Sequence, residues 1–281
     1  MHNDKLPLEL WREITEISAS FSLHQAATLA LVSRTSFDWV QPFLYRTVVY
    51  YDEGKGWPLK VASLEWFQVK GCHLRNLMWG ELGREHLQLL VSILELCAAI
   101  ENLAVWGNIQ GTDISVLRPA LSKLRLRELS INPFALFVTK QFRETEAQDP
   151  IFRHITHFHV INAQRQLLDW EDLMGLMHLP HVAYVGLPSQ VNPNAIDGIL
   201  QHCKHVEVLV VMQRIRMRVW DHDQEPDAPS GGIPSDPRVL YIPLLIVDEW
   251  KKSALGAKSI WQKSEEVIAK RKRQGSWLVY N

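Results

Sequence analysis

"IENLAV", residues Ile100–Val105, and "LRELSI", residues Leu126–Ile131, are one phrase written twice, 26 residues apart. In each, apolar side chains stand first, fourth and sixth. The last three residues follow an L-x-L alternation, which is the mark of a short strand with one buried face. The phrase recurs upstream as "LRNLMW" (Leu74–Trp79) and downstream as "ITHFHV" (Ile155–Val160), "VAYVGL" (Val182–Leu187) and "VEVLVV" (Val206–Val211). A last copy is placed at "VLYIPL" (Val239–Leu244). The fourth-position anchors are then Leu77, Leu103, Leu129, Phe158, Val185, Leu209 and Ile242, spaced by 26, 26, 29, 27, 24 and 33 residues.

Most copies follow a stretch with apolar residues at helical intervals: "EHLQLLVSILELCAAI", "DISVLRPALSKL", "DWEDLMGLMHL" and "NAIDGILQHC". One strand and one helix cannot bury each other's apolar faces, but a stack of such units can. A period of about 20–29 residues with this pattern resembles a degenerate leucine-rich repeat. The usual asparagine after the strand is mostly missing, although Asn132 lies one residue beyond Ile131. The resemblance implies an α/β solenoid with parallel strands. The side chains between the buried ones then face its concave side: Asn76, Met78, Asn102, Ala104, Trp106, Glu128, Ser130, His157, His159, Tyr184 and Gly186. Trp106, His157, His159 and Tyr184 are the candidate contacts to a target protein, because aromatic side chains dominate interface energetics. A generic α/β protein with parallel strands is the alternative.

The N-terminal segment has another character. Leu6, Leu10, Trp11, Ile14 and Ile17 form one apolar stripe at helical spacing, with Pro7 suited to a first turn. "SLHQ" then sets Ser22 three residues before Gln25, a capping-box pattern that opens a second helix. A third apolar stretch, "FDWVQPFLYRTVVY", follows with Pro42 as punctuation. About 45 residues in three short helices cannot bury a sufficient core alone. The segment must lean on the rest of the chain, on a partner, or on both.

"LPLELWREIT…SLHQAATLALVSRTSFDWV" resembles an F-box, with Leu-Pro at its start, an aliphatic helix and an "LALVSR" helix. The resemblance covers Leu6 to Val49. Where the motif commonly carries a tryptophan after the V-S-R element, Ser36 stands here, flanked by Phe37 and Trp39. The resemblance implies binding to the Skp adaptor of cullin-RING ubiquitin ligases. The residues that match the motif are Leu6, Pro7, Leu10, Trp11, Ile14, Leu29, Leu31, Val32, Phe37 and Trp39. Read this way, residues 1–50 are an F-box and residues 51–281 a degenerate repeat domain. An ordinary helical cap on the following domain is the alternative.

Residues 221–237 are rich in Pro, Gly and Asp and read as an exposed loop. "DEWKKSALGAKSIWQKSEEVIAKRKRQ" reads as mostly helical and is expected to cap the open end of the stack. An N-terminal F-box, degenerate repeats and a closing helix together resemble the layout of many fungal F-box proteins. "KRKR" at Lys270–Arg273 reads as a solvated helix end, where cations are favoured.

Net charge is −1, so nothing draws the chain to a phosphate backbone. Three cysteines, none in a C-x-x-C pair, make neither a disulfide framework nor a zinc site. With no apolar leader and no apolar run near 18 residues, a cytoplasmic or nuclear place and no membrane contact are expected. No phosphate-loop, nucleophile-elbow, H-E-x-x-H or dinucleotide fingerprint occurs. His157 and His159 share a strand face and could hold a metal, but a third ligand is not visible nearby. The expectation is a non-enzyme without cofactor: a substrate-receptor subunit of an SCF-type ubiquitin ligase, F-box on the adaptor and repeats on a target. A leucine-rich scaffold whose N-terminal helices only cap the stack is the second reading, and an enzyme with an unrecognised site the third.

Overall fold

The repeated apolar phrases are strands. A computed structural model describes residues 6–50, 64–80, 84–106, 113–162, 167–213, 236–243 and 246–274. Three helices come first: α1 (Leu8–Ser20), α2 (Leu23–Ala30) and α3 (Arg34–Leu44). The chain then alternates: β1 (Thr47–Tyr50), α4 (Leu64–Lys70), β2 (Asn76–Trp79), α5 (Arg84–Leu96), β3 (Asn102–Val105), α6 (Arg118–Leu121), β4 (Glu128–Ile131). It continues with α7 (Pro133–Phe137), α8 (Glu144–Ala147), β5 (His157–Val160), α9 (Trp170–Leu173), β6 (Tyr184–Leu187), α10 (Pro193–His202), β7 (Val208–Gln213) and β8 (Val239–Pro243). Two helices close it: α11 (Ile246–Ala254) and α12 (Ile260–Gln274). The protein is therefore α/β, with one sheet of eight described strands in sequential order, β1 to β8, every pair parallel.

The register follows the repeat. Leu77, Leu103, Leu129, Phe158, Val185 and Leu209 stand opposite one another across six strands. The carbonyl before several strands repeats one device. That of Arg75 accepts from the amides of Glu101 and Asn102, that of Arg127 from Thr156 and His157, and that of Ala183 from Glu207 and Val208. The first face of the sheet carries the anchors and the residues two further on. It packs against the helices in one continuous apolar core that also takes in Leu74, Ile100, Leu126, Ile155, Val182 and Val206, the first positions of the phrase.

Three sequence expectations need correction. The last copy is out of frame: Leu209 pairs with Val239, so the anchor is Val239 and Ile242 points to the other face. Leu244 and residues 221–235 of the expected loop lie outside the described residues. Thr47–Tyr50, read as part of a third apolar stretch of the helical segment, is a strand of the sheet paired with Asn76–Trp79. Its neighbour Pro42 lies inside α3 instead of ending it. Finally, α12 does not sit over the end of the stack. Trp261 reaches strands β4 to β6, Ile268 packs with Val208, Val210, Met212, Leu240 and Ile242, and Arg271 donates to the Val239 carbonyl. The helix crosses the second face of the sheet.

The helical intervals differ in length. "EHLQLLVSILEL" gives the long α5, whereas "DISVLRPALSKL" gives one 3-10 turn and one α-turn. Among the described residues no helix is long and apolar enough to cross a membrane.

Candidate functional site

Two surfaces carry the residues singled out by sequence. On α1, Pro7 is the N-cap, and its carbonyl accepts the first helical bond from Trp11 N. Ser22 caps α2, its Oγ accepting from Gln25 N at 3.1 Å. Ser33, the serine of "LALVSR", caps α3 by accepting from Ser36 N at 3.0 Å, a cap that the sequence reading did not pick out. These caps fix three helices that pack through small side chains. The buried apolar residues between them are Ala19, Ala26 and Val40, lined by Leu29, Ala30, Phe43 and Leu44. From α1 only Thr15 and Ala19 are buried.

The large apolar residues of α1 point outward. Leu10 is 45% exposed, Ile14 49%, Ile17 52% and Trp11 54%. Leu6, Pro7 and Val32 are exposed too, and Leu31 is 89% exposed. Three of the ten motif residues behave differently. Leu29 packs into the three-helix contact, and Phe37 and Trp39 are half-buried. Lys70 of α4 holds its ammonium 6.0 Å from the Phe37 ring centre and 5.2 Å from that of Tyr45, and donates to Gln41 Oε1 at 2.6 Å. The helical unit is thereby tied to α4 along α3, and α1 is left open.

The second face of the sheet has a polar row and a mixed row. Thr47, Asn76, Asn102, Glu128, His157 and Tyr184 stand in register in the first row. Asn102 Nδ2 donates to Asn76 Oδ1 at 2.8 Å, and Asn76 Nδ2 to Thr47 Oγ1 at 2.9 Å. The His157 and Tyr184 rings stack at 4.1 Å. Val49, Met78, Ala104, Ser130, His159, Gly186 and Val210 form the second row. The alternation thus places all the expected side chains on one face, and Trp106 meets His159 edge-on at 6.1 Å.

That face is covered. Trp250 of α11 packs with Met78, Ala104 and Trp106. Trp261 of α12 lies 5.5 Å from His157 and 6.0 Å from Tyr184, centre to centre, and donates its indole N–H to Glu128 Oε1 at 3.1 Å. Tyr184 donates its hydroxyl to Glu265 on the same helix. His159 is only 3% exposed; its Nδ1 lies 2.6 Å from Ser130 Oγ and its Nε2 has no protein partner.

Burial sets the protonation of these groups. It pulls His159 down to about 3, and burial with the nearby Arg127 charge pulls His157 down to about 4, so both rings are neutral at pH 7. It pushes the Glu128 carboxyl above the usual range, opposed by the Trp261 hydrogen bond. The bond to Glu265 raises the Tyr184 phenol to about 12. Such a face can offer aromatic surface, hydrogen-bond donors and neutral imidazoles. Among the described residues no group of three or more His, Cys, Asp or Glu stands close enough to hold a metal ion.

Trp250 and Trp261 are the partners of this face that sequence reasoning missed. The available signal was the pair of tryptophans on two amphipathic C-terminal helices. No protein-family model matches the chain, and no curated protein shows significant sequence similarity to it.

Proposed function

We propose that the chain is the substrate-receptor subunit of a cullin-RING ubiquitin ligase of the SCF type. In this reading α1–α3 are an F-box that binds a Skp adaptor, and the strand–helix array is a degenerate leucine-rich-repeat solenoid that binds a target protein. The chain performs no covalent step itself. It works by proximity, holding a target beside a charged ubiquitin-conjugating enzyme.

The observation that carries the reading is the inversion of α1. Thr15 and Ala19 are buried, while Leu10, Trp11, Ile14 and Ile17 are about half exposed. Full burial of each aliphatic member is worth about 1.5–3 kcal/mol. A helix that leaves this much apolar surface in water marks an interface, and an amphipathic helix with large anchors suits a helix-in-groove partner. The "LALVSR" residues, expected as one helix, instead form the junction where α2 ends at Ala30 and Ser33 caps α3, and their sequence adds the motif-level support.

Co-expression with a Skp adaptor and size-exclusion chromatography tests the reading. The wild-type chain is expected to co-elute with the adaptor. The Leu10→Ala/Trp11→Ala double variant, whose substitutions fall on exposed side chains, is expected to lose co-elution and keep its circular dichroism. A folded wild-type chain that ignores the adaptor would overturn it.

A second reading has its own observation. The α1–α3 unit touches the rest of the chain around Ala254–Gly256 and through Lys70, as a cap would. In that reading the chain is a non-catalytic repeat scaffold, and the same co-elution experiment separates the two.

A further inference from the structure

The second face of the sheet is a groove with its own plug. All eight strands pair among themselves, and among the described residues no backbone hydrogen bond ties α11 or α12 to a strand. The two helices are held by side chains: Trp250 over Met78 and Ala104, Trp261 on Glu128, Thr47 Oγ1 donating to the Ala254 carbonyl at 2.8 Å, and Arg271 donating to the Val239 carbonyl at 2.8 Å. A few large anchors over a polar row is the anatomy of a protein–protein interface. The first face, by contrast, buries almost only apolar side chains.

The plug is also an imperfect fit. Between it and the sheet lies a small, partly open cavity whose lining includes Trp106, Ser130, His159, Trp250 and Trp261. Trp106 Nε1 and His159 Nε2 are buried at this junction without protein partners. A buried polar group left unpaired costs about 1–3 kcal/mol. Gly186 shows how the groove accepts an indole: a Cβ there would stand 3.2 Å from Trp261 Cη2 and 2.8 Å from His159 Cδ2.

We propose that this groove is a docking site for a helical segment of a partner protein bearing a tryptophan, and that α11 and α12 occupy it at rest as a displaceable stand-in for that segment. The partner's indole takes the place of Trp261 between Tyr184 and Gly186, with its N–H on Glu128. Polar side chains beside it meet Trp106 Nε1 and His159 Nε2, which the resting plug leaves unpaired. The inference deepens the target-binding half of the proposed function and does not depend on the adaptor.

The probe is a fluorescein-labelled synthetic peptide of residues 246–274, titrated against the full chain and followed by anisotropy. In the Trp250→Ala/Trp261→Ala variant the plug loses both anchors and the groove keeps every residue. That variant is expected to bind the peptide at least tenfold more tightly than the wild-type chain does, and a Trp261→Ala peptide at least tenfold more weakly than the native one. Equal binding by variant and wild type, or no binding by either, overturns the proposal. Hydrogen exchange of the wild-type chain decides the matter if the variant does not fold. Amides of α11 and α12 exchanging at least tenfold faster than those of β3–β6 support a displaceable plug, and exchange at the same rate as the strands overturns it. No adaptor is present in either experiment, so failure here leaves the adaptor reading standing.

Discussion

His159 shows what a single residue's position in the sequence can and cannot reveal. The alternation in "ITHFHV" put it beside His157 on one strand face, and it lies there. Its burial was not legible, because the side chains that cover the face come from Trp250 and Trp261, about 90–100 residues further along the chain. That burial has a consequence in acid. Free histidine titrates near 6.5, whereas folded His159 sits near 3 and His157 near 4. Between those values the unfolded chain binds protons that the folded chain refuses, so stability rises with pH and is lost as pH falls. The loss begins as pH drops through about 6.5 and continues to about 4 for His157 and about 3 for His159. Each contributes about 1.4 kcal/mol per pH unit inside its window. Urea midpoints at pH 7.5, 6.0 and 5.0 are expected to fall more steeply for wild type than for His159→Gln. Parallel profiles would mean that His159 is not held neutral by burial.

At the scale of elements, six strand anchors were legible because the phrase repeats with apolar residues at fixed offsets, and the sheet register carries the same spacing. The two edge strands were not. β1 merges into an apolar run that also contains α3, so periodicity alone drew no boundary between them. β8 has apolar residues on both faces, Val239 and Tyr241 on one, Leu240 and Ile242 on the other, so the frame could slip by an odd step. The N-terminal helices bury only Ala19, Ala26 and Val40 as an apolar cluster among themselves, and their outward-facing residues follow from how little space lies between them. Ala26 is fully buried among Ala19 and Val40. Ala26→Leu would force extra methylenes into that contact and is expected to cost about 1–3 kcal/mol. It should splay α1 from α2 and weaken adaptor co-elution, although Ala26 itself is not on the exposed stripe. The far-UV circular dichroism of the sheet should survive. Unchanged thermal stability together with unchanged co-elution would show that the helices do not pack through this point.

At the scale of the whole molecule, every described strand pairs only with its sequence neighbours in the sheet. An array built this way is held by nearest-neighbour terms and tends to unfold in segments. The C-terminal helices oppose that tendency. Ala254 accepts from Thr47 and Asn76 on β1 and β2, Trp250 packs on β2 and β3, Trp261 spans β4 to β6, and Ile268 with Arg271 reaches β7 and β8. Residues 246–274 thus bridge parts of the sheet that otherwise communicate only strand by strand. Cooperativity then resides in those bridges as well as in the core. Urea unfolding of the wild-type chain is expected to give coincident curves by far-UV circular dichroism and by tryptophan fluorescence. In Trp250→Ala/Trp261→Ala the two curves should separate and the apparent m-value should fall, because less surface is exposed in any one step. If the variant instead keeps coincident curves and an unchanged m-value, the core on the first face couples the strands by itself, and the helices on the second face add stability without adding cooperativity.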